Sequence, residues 1–528
     1  MQKKYVVVTG GVLSGLGKGI AMASIGNLLS SSYKVVPIKC DGYLNVDPGT
    51  MNPTEHGEVF VLDDGAEVDM DFGHYERFLG VDCKAEWNLT MGKVFDRIRE
   101  KERRGDYLGR TVQMIPHVTN FITNHFVEVG KDSGADIVLI EIGGTVGDIE
   151  NELFIEAVRN LPRKVGKENV IFVHMTYVPI PFGVNEQKSK PTQQSIALLK
   201  QKGIEPDLII ARCSEMLTDV IKNKIALFSN LNKEEIITGI DVDDVYKIPL
   251  VFEEQGMSQL LARKLNIPIH PKLERWKELI KNHEDADKEI TIAIAGKYTS
   301  LEDSYASIIE ALHHCEAHFS TRINIKWIET SYDKIDLHGV HGVIVPGGFG
   351  SRGVEGKIKV IKECREKKIP FLGICYGLQM AVIEFARSLC GKPDANSTEV
   401  NENCFPIIDI LPEQKDILDK GGTMRLGAYP AVIEEGSLVH FLYGSTKISE
   451  RHRHRFEVNP ECHDLLREKG LVISGMSPDR RLAEFIELKN HPYFVATQGH
   501  PELKSSLLEP APLFRGLVDA SIRFSERN

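Results

Sequence analysis

The sequence predicts two α/β domains in tandem, each built on a parallel sheet with helices on both faces. Three observations lead there. Short β-branched runs alternate with helical patterns, and these runs are apolar nearly throughout, as strands buried on both faces are. The alternation also stops in a polar, charged interval near residue 285 and then starts afresh. A chain of 528 residues is moreover too long for a single hydrophobic core.

The first series of strands runs Tyr5–Val8, Val35–Cys40, Ile137–Ile142, Val170–Thr176 and Leu208–Arg212. The second runs Ile290–Ala295, Ile323–Ile328, Gly342–Val345, Phe371–Ile374 and Val495–Thr497. Between them, HPKLERWKELIKNHEDADKE reads as a short helix followed by a charged stretch from His283 to Glu289. This places a linker at residues 267–288, a first domain at 1–266 and a second at 289–528. No internal repeat or low-complexity tract interrupts either series.

The totals, 42% hydrophobic and 26% charged, are those of an ordinary globular chain. With 64 basic against 75 acidic residues, a net of -11, a protein-wide electrostatic grip on nucleic acid or anionic lipid is not expected, so any polyanion must be met by local clusters. The chain enters its first strand at Tyr5 without the basic and apolar regions of a signal peptide, and no stretch approaches the ~18 apolar residues of a membrane span; the expected location is the cytoplasm. The nine cysteines are scattered and form no C-x-x-C pair, which argues against a disulfide frame or zinc site and draws attention to any cysteine in a special context.

The first strand ends in VTGGVLSGLGKGIAMASIG, where Gly10, Gly11, Gly15 and Gly17 precede Lys18 and a helix of small residues. Such a turn can wrap backbone N–H groups round phosphate oxygens, with the helix N-terminus and Lys18 adding positive charge. Val12 stands where a P-loop has its first glycine and Gly19 where it has Ser or Thr, so a plain tight strand–helix turn also fits. The hydroxyl absent after Lys18 normally helps hold magnesium, which turns attention to carboxylates. In AEVDMDFGHYERF, alternation along an extended chain would put Glu67, Asp69 and Asp71 on one side, although for this segment by itself a solvated acidic edge is the favoured explanation. Glu141 lies near the C-terminal end of an apolar strand, where ligands bind in open α/β sheets. A carboxylate buried there needs a partner, which a phosphate-bound cation would supply. Lys188 and Lys190 in NEQKSKPTQQS fit either a wet surface loop or a second triphosphate site.

In the second domain, PFLGICYGLQMAV has the G-x-nucleophile-x-G arrangement of an elbow between strand and helix, with Cys375 at its apex. A helix N-terminus there favours a thiolate and offers backbone donors to an oxyanion. VATQGHPEL supplies His500 as base and Glu502 to orient it, completing a triad. The glycine-rich VPGGFGSRG could add further backbone donors. Each of the three alone could be structural; together they point to a glutaminase.

These segments resemble the CTP synthase family, which joins a synthase domain of P-loop, dethiobiotin-synthetase-like fold (an amidoligase) to a class I glutamine amidotransferase domain. The resemblance covers nearly the whole chain through GGVLSGLGKG, NVDPGTMNPTEHGEVFV, DFGHYERF, EIGGTVGDIE, KSKPTQQS, PGGFGSRG, TMRLG and RHRHRFEVN. It implies that Gly15, Leu16, Gly17, Lys18, Gly19 and Ile20 bind ATP, that Lys39 lies near the transferring phosphate, that Ile240, Asp241 and Val242 line the adenine pocket, and that Asp71 and Glu141 hold Mg2+. UTP, and CTP as feedback inhibitor, would use Ser14, Asp148, Ile149, Glu150, Lys188, Ser189, Lys190, Pro191, Thr192, Gln193 and Lys224. Glutamine would use Gly348, Tyr376, Gly377, Leu378, Gln379, Glu399 and Arg455, with Cys375, His500 and Glu502 as the reacting set. Glu399 suits the ammonium of free glutamine and Arg455 its carboxylate. In RHRHR, extended backbone points Arg451, Arg453 and Arg455 one way and His452 and His454 the other, and the histidines are expected to be structural. Two positions depart from the family: Tyr376 where Leu is usual, and Gly499 where Phe is usual.

The reaction implied by the resemblance is ATP-dependent phosphorylation of the uracil O4, followed by displacement of phosphate by ammonia from glutamine, delivered unprotonated and with water excluded. GTP is implied as allosteric activator, and a homotetramer, in some members a filament, as the assembly. Two alternatives compete with this reading. One is another ATP-dependent amidotransferase, against which the Lys188–Gln193 loop speaks; the other is a catalytically silent nucleotide-binding filament protein, against which the intact reacting residues speak.

Overall fold

All strands of the first sheet are parallel, in the order Asn88–Thr90, Val35–Asp41, Ile137–Ile142, Lys4–Gly10, Val170–Tyr177, Leu208–Cys213, Ile236–Ile240. The structure, a computed structural model, describes residues 2–49, 51, 57–297, 302–332, 335–410 and 424–527; Thr50, residues 52–56 and Thr423 of the quoted motifs lie outside these. Lys4–Gly10 is buried along its whole length, which is why its sequence is apolar at successive positions. The connection leaving it runs toward one edge of the sheet and the one leaving Val170–Tyr177 toward the other. A crevice therefore opens at the carboxyl ends of these two neighbours, the usual ligand position in such a sheet.

The second sheet is parallel through Thr321–Glu329, Lys288–Gly296, Gly342–Val345, Phe371–Ile374 and Phe494–Thr497. It continues antiparallel through Ala483–Glu487, Val472–Met476, Arg425–Ile433 and Lys447–His454. Alternate residues of its strands feed two cores. Ile292, Ile294, Leu372 and Ile374 pack with Phe514 and Leu517 of the helix Pro512–Ser525. Ala293, Val343, Val345 and Phe371 pack with Met380 and Ile383 of the helix Tyr376–Leu389. Ten of the parallel strands match the expected runs to within two residues at either end; the two edge strands of the first sheet, Asn88–Thr90 and Ile236–Ile240, were not expected. The antiparallel ones were not expected, because Lys447–His454 reads KISERHRH and Arg425–Ile433 carries Gly427 and Pro430.

The chain divides into two units that are not contiguous in sequence: Met1–Asp47 with His74–Lys277, and Pro48–Gly73 with Glu278–Asn528. This differs in two places from the expected boundaries. Residues 267–277 pack into the first unit, where the Trp276 indole donates to Tyr246 O at 2.7 Å and Trp276, Tyr246 and Phe78 cluster. Residues 48–73 belong to the second unit, where the hairpin of Phe60–Val61 and Glu67–Val68 lies against Lys447–His454. Arg451 Nε donates to Asp63 Oδ1 at 2.5 Å, Arg453 Nε to Glu67 Oε1 at 2.7 Å and Lys504 Nζ to Asp63 Oδ2 at 3.1 Å. These ion pairs also correct the expected acidic edge. Only Glu67–Val68 is extended; the Asp69 carboxylate accepts the Asp71 N–H at 3.2 Å and the helix Asp71–Leu79 begins, so Glu67, Asp69 and Asp71 do not form one row.

Candidate active sites

In the first unit the glycine-rich loop leads into the helix Lys18–Ser30, with Gly15 at φ 74 and Gly17, the residue before the helix, at φ 82. Both are left-handed conformations that side chains disfavour. Val12, the departure from the P-loop pattern, holds φ 81 as well, so the loop keeps a turn that glycine would adopt more easily. Lys18 is buried and donates from Nζ to Gly144 O at 2.8 Å, lying across the loop that follows Ile137–Ile142. At the end of that strand, buried Glu141 accepts from Lys39 Nζ at 3.1 Å and from the Tyr75 hydroxyl at 2.5 Å. The partner that this carboxylate needs is thus provided by the protein. A carboxylate at this strand end is also the kind of oxygen donor that suits a hard cation. Asp71, the other expected magnesium ligand, falls in the segment grouped with the second unit.

A cavity of about 120 Å³ beside the loop is lined by Leu16, Gly17 and Ile20 and by the three expected adenine residues Ile240, Asp241 and Val242. Arg212 closes its wall: Nε donates to Asp241 Oδ1 at 2.7 Å and Nη1 to Gly15 O at 3.0 Å. The expected UTP residues are mostly exposed. Asp148 accepts from Thr145 N–H and hydroxyl at 2.9 and 2.5 Å, Ile149 and Glu150 open an exposed turn, and Ser14 is exposed in the loop. Lys188 pairs with Glu186, on which Lys224 also acts. Lys190 and Pro191 start the helix Lys190–Gln201, Gln193 bonds to the Ser189 hydroxyl at 3.0 Å, and buried Thr192 donates to Tyr177 O at 2.9 Å, pinning this helix to the end of a central strand.

In the second unit Cys375 stands between the strand Phe371–Ile374 and the helix Tyr376–Leu389 at φ 51, ψ −99, and its N–H donates to Thr497 O at 2.7 Å. Gly377 lets the helix sit down on the sheet, since a β-carbon there would lie 2.1 Å from Val345 O. His500 Nδ1 is 2.6 Å from Glu502 Oε1. A β-carbon on Gly347 would lie 2.9 Å from His500 Cε1 and 3.8 Å from Cys375 Cβ, so the loop 345–353 lies against both reacting residues. Burial alone would raise the Cys375 pKa; the charge of His500 and the contact with His454 outweigh it and bring the thiol to about 6. Burial works against protonating His500 too, but Glu502 and the sulfur hold it well above the usual imidazole range. Both shifts run in the direction that favours a thiolate paired with an imidazolium.

A cavity of about 560 Å³ opens over Cys375 and His500 and is lined also by Gly348, Glu399, Arg453 and Arg455. Three expected glutamine residues therefore share one space with the triad. Tyr376, Gly377, Leu378 and Gln379 form the buried first turn of the helix and are not among the residues that line this cavity. Gln379 donates to Phe456 O at 2.8 Å. Glu399 accepts from Gly350 N–H at 2.9 Å, and burial raises its pKa.

A family profile for the CTP synthase N-terminus matches residues 4–267, and one for class I glutamine amidotransferase matches residues 300–520. The chain belongs to the CTP synthase family. The CTP synthase of Borreliella burgdorferi is 52% identical over 98% of this chain and 99% of its own length, and that of Methanococcus maripaludis is 52% identical over the same shares. A solved glutaminase domain of Trypanosoma brucei CTPS with bound acivicin is 34% identical, covers 44% of this chain and 94% of its own, and aligns with a TM-score of 0.42. Like the rest of the CTP synthase family, this chain is an ATP-dependent, glutamine-hydrolysing ligase. No helix among the described residues is long and apolar enough to cross a membrane.

The two departures from the CTP synthase pattern have local explanations. The Tyr376 hydroxyl donates to Gly350 O at 2.6 Å and so ties the glycine-rich loop to the nucleophile helix, a bond that Leu cannot make. At Gly499 a β-carbon would lie 2.9 Å from Glu450 Cβ and 3.3 Å from Arg451 O, so Phe would require the neighbouring strand to move. Sequence reasoning missed Arg212 and Tyr75. Arg212 carries the signal that exposed Glu141, a charged residue closing an apolar strand; Tyr75 carries none.

Because the folded thiol is depressed, the reactive thiolate is present above its pKa and lost as pH falls through it. Alkylation of Cys375 by iodoacetamide, followed by peptide mass mapping, should be half-maximal near pH 6. A midpoint near ~8.5, that of an ordinary cysteine, would contradict the charge arrangement.

Proposed function

We propose that the chain converts UTP to CTP through a 4-phosphorylated UTP, using ammonia released from glutamine at Cys375. The observation that carries the glutaminase half is the convergence of Cys375, His500, Glu399 and Arg455 on one cavity. In the proposed sequence Arg455 and Glu399 hold the carboxylate and ammonium of glutamine. The Cys375 thiolate attacks the amide carbon, and backbone N–H groups at the helix start and in the loop 345–353 receive the oxyanion. His500 gives its proton to the departing nitrogen, leaving ammonia and a thioester. Water, deprotonated by His500, then releases glutamate and restores the thiolate.

In the synthase half, the loop Gly15–Ile20 and Lys18 bind the ATP phosphates, Lys39 stands near the transferring group, and Ile240–Val242 with Arg212 enclose the adenine. Ser14, Asp148–Glu150, Lys188–Gln193 and Lys224 take UTP, or CTP as feedback inhibitor. Magnesium, for which Glu141 is the carboxylate of the first unit, would neutralise charge on the triphosphate. Phosphorylation turns the uracil O4 into a good leaving group, and neutral ammonia, which keeps its lone pair, displaces phosphate at C4. GTP as activator, a homotetramer able to extend into filaments and a cytoplasmic location complete the proposal on the strength of family resemblance.

CTP formation from UTP, ATP and magnesium, with glutamine or with ammonium, tests these assignments. Cys375→Ala is expected to abolish the glutamine-supported reaction and keep the ammonium-supported one; loss of both would contradict separate chemistry. Lys18→Ala is expected to lower both by roughly a hundredfold or more, as the removal of a preorganised charge does. Normal turnover with either nitrogen source would refute its phosphate role.

A further inference from the structure

We infer that His454, oriented by Glu457, is a second histidine acting on Cys375, so that the nucleophile is held as a thiolate between two imidazolium groups. The inference rests on the glutaminase reading of this site. His454 ends the strand Lys447–His454, and the carbonyl oxygen of the preceding residue, Arg453, is 3.9 Å from Cys375 Sγ, so this strand end adjoins the sulfur. The imidazole is buried. Its Nε2 lies 2.6 Å from Glu457 Oε1, and its Nδ1 meets no nitrogen or oxygen partner among the described residues. The other group on which the ring acts is Cys375.

The arrangement repeats the imidazole–carboxylate pairing of His500 and Glu502, with a further anchor behind it. Arg425 donates from Nη1 to Glu457 Oε1 at 2.8 Å and from Nη2 to Glu484 Oε1 at 2.6 Å, all four side chains being buried. A buried carboxylate that accepts from both a guanidinium and an imidazole is firmly placed, because losing either would leave charge uncompensated. Burial opposes protonation of His454, but Glu457 and the sulfur outweigh it and bring its pKa to about 9. Its neighbour His452, near Glu484, is instead pushed well below the usual range by burial and by Arg425, and stays neutral. The other polar groups round the sulfur are Gln498, whose amide is 3.6 Å away, the pair His500 and Glu502, and Arg453, Arg455 and Glu399 on the cavity wall.

The two histidines divide the work. His500 lines the glutamine cavity and His454 does not, so only His500 can reach the departing nitrogen. His454 keeps its proton and serves as a fixed positive charge beside the sulfur, a positioning residue for the nucleophile's ionisation state.

The test is the pH profile of Cys375 alkylation in the full chain, read beside glutamine hydrolysis. His454→Gln should move the alkylation midpoint upward by about one pH unit or more, making alkylation and glutamine kcat/KM roughly tenfold slower below the original midpoint, while alkylation at high pH returns to the unsubstituted rate. A loss of packing alone would slow the reaction at every pH without moving the midpoint. Glu457→Gln, which leaves the imidazole in place, should move the midpoint in the same direction by a smaller amount and covers the case in which His454→Gln does not fold. Unmoved midpoints in the folded variants would overturn the role of His454 and leave the glutaminase reading intact. An unsubstituted chain that hydrolyses no glutamine and whose Cys375 resists alkylation would overturn both.

Discussion

Cys375 occupies a backbone conformation that cysteine ordinarily avoids, and much of the second unit serves to keep it there. Residues in such sparsely populated regions cost about 1–3 kcal/mol and persist where the surroundings over-determine them. Here the strand Phe371–Ile374 is clamped between Gly342–Val345 and Phe494–Thr497, the Cys375 N–H is taken by Thr497 O, and Gly377 brings the following helix onto Val345. The strained turn presents the sulfur at the carboxyl edge of the sheet, facing the cavity. The charges then determine its ionisation state, because a buried thiol left to itself would stay protonated. Cys315 and Cys364 show this: burial pushes both thiols far up, where they are inert core residues.

The first unit uses the same geometry for a different purpose. Lys4–Gly10, Ile137–Ile142 and Leu208–Cys213 are buried through most of their length and carry polar or charged chemistry only as they emerge, as the glycine loop with Lys18, as Glu141 and as Arg212. Each group is held before any ligand arrives: Lys18 by Gly144 O, Glu141 by Lys39 and Tyr75, and Arg212 by Asp241 and Gly15 O. Side chains placed in this way need little reorganisation to meet a triphosphate. Thr9, His174 and Ser195 add a buried chain of hydrogen bonds, 2.9 and 2.8 Å long, that joins the strand before the glycine loop to the helix after Lys190; burial keeps His174 neutral, with its pKa lowered to about 3.

The central parallel strands of both sheets were legible in the sequence because strands buried on both faces leave continuous apolar runs. The antiparallel part of the second sheet was not. Arg451 and Arg453 are paired with Asp63 and Glu67 from almost 400 residues away in sequence, and no local pattern announces such a partner. Cys375 and His500 were readable because each follows a strand end with a glycine alongside, and Glu502 because it stands two residues after His500. Glu141 was found because a buried carboxylate needs compensation, and the sequence could not show that Lys39 and Tyr75 supply part of it. His454 was read as structural because alternation places it opposite the arginines. No local pattern announces that the end of its strand adjoins Cys375.

The central claim is that Cys375 carries the glutamyl group between amide cleavage and hydrolysis. Acid quenching during steady-state glutamine turnover, followed by mass mapping, tests it most directly. A γ-glutamyl thioester on the peptide containing Cys375 is predicted, absent without glutamine and absent in Cys375→Ala. Steady glutamine hydrolysis with that peptide unmodified, or undiminished hydrolysis by Cys375→Ala, would contradict the account.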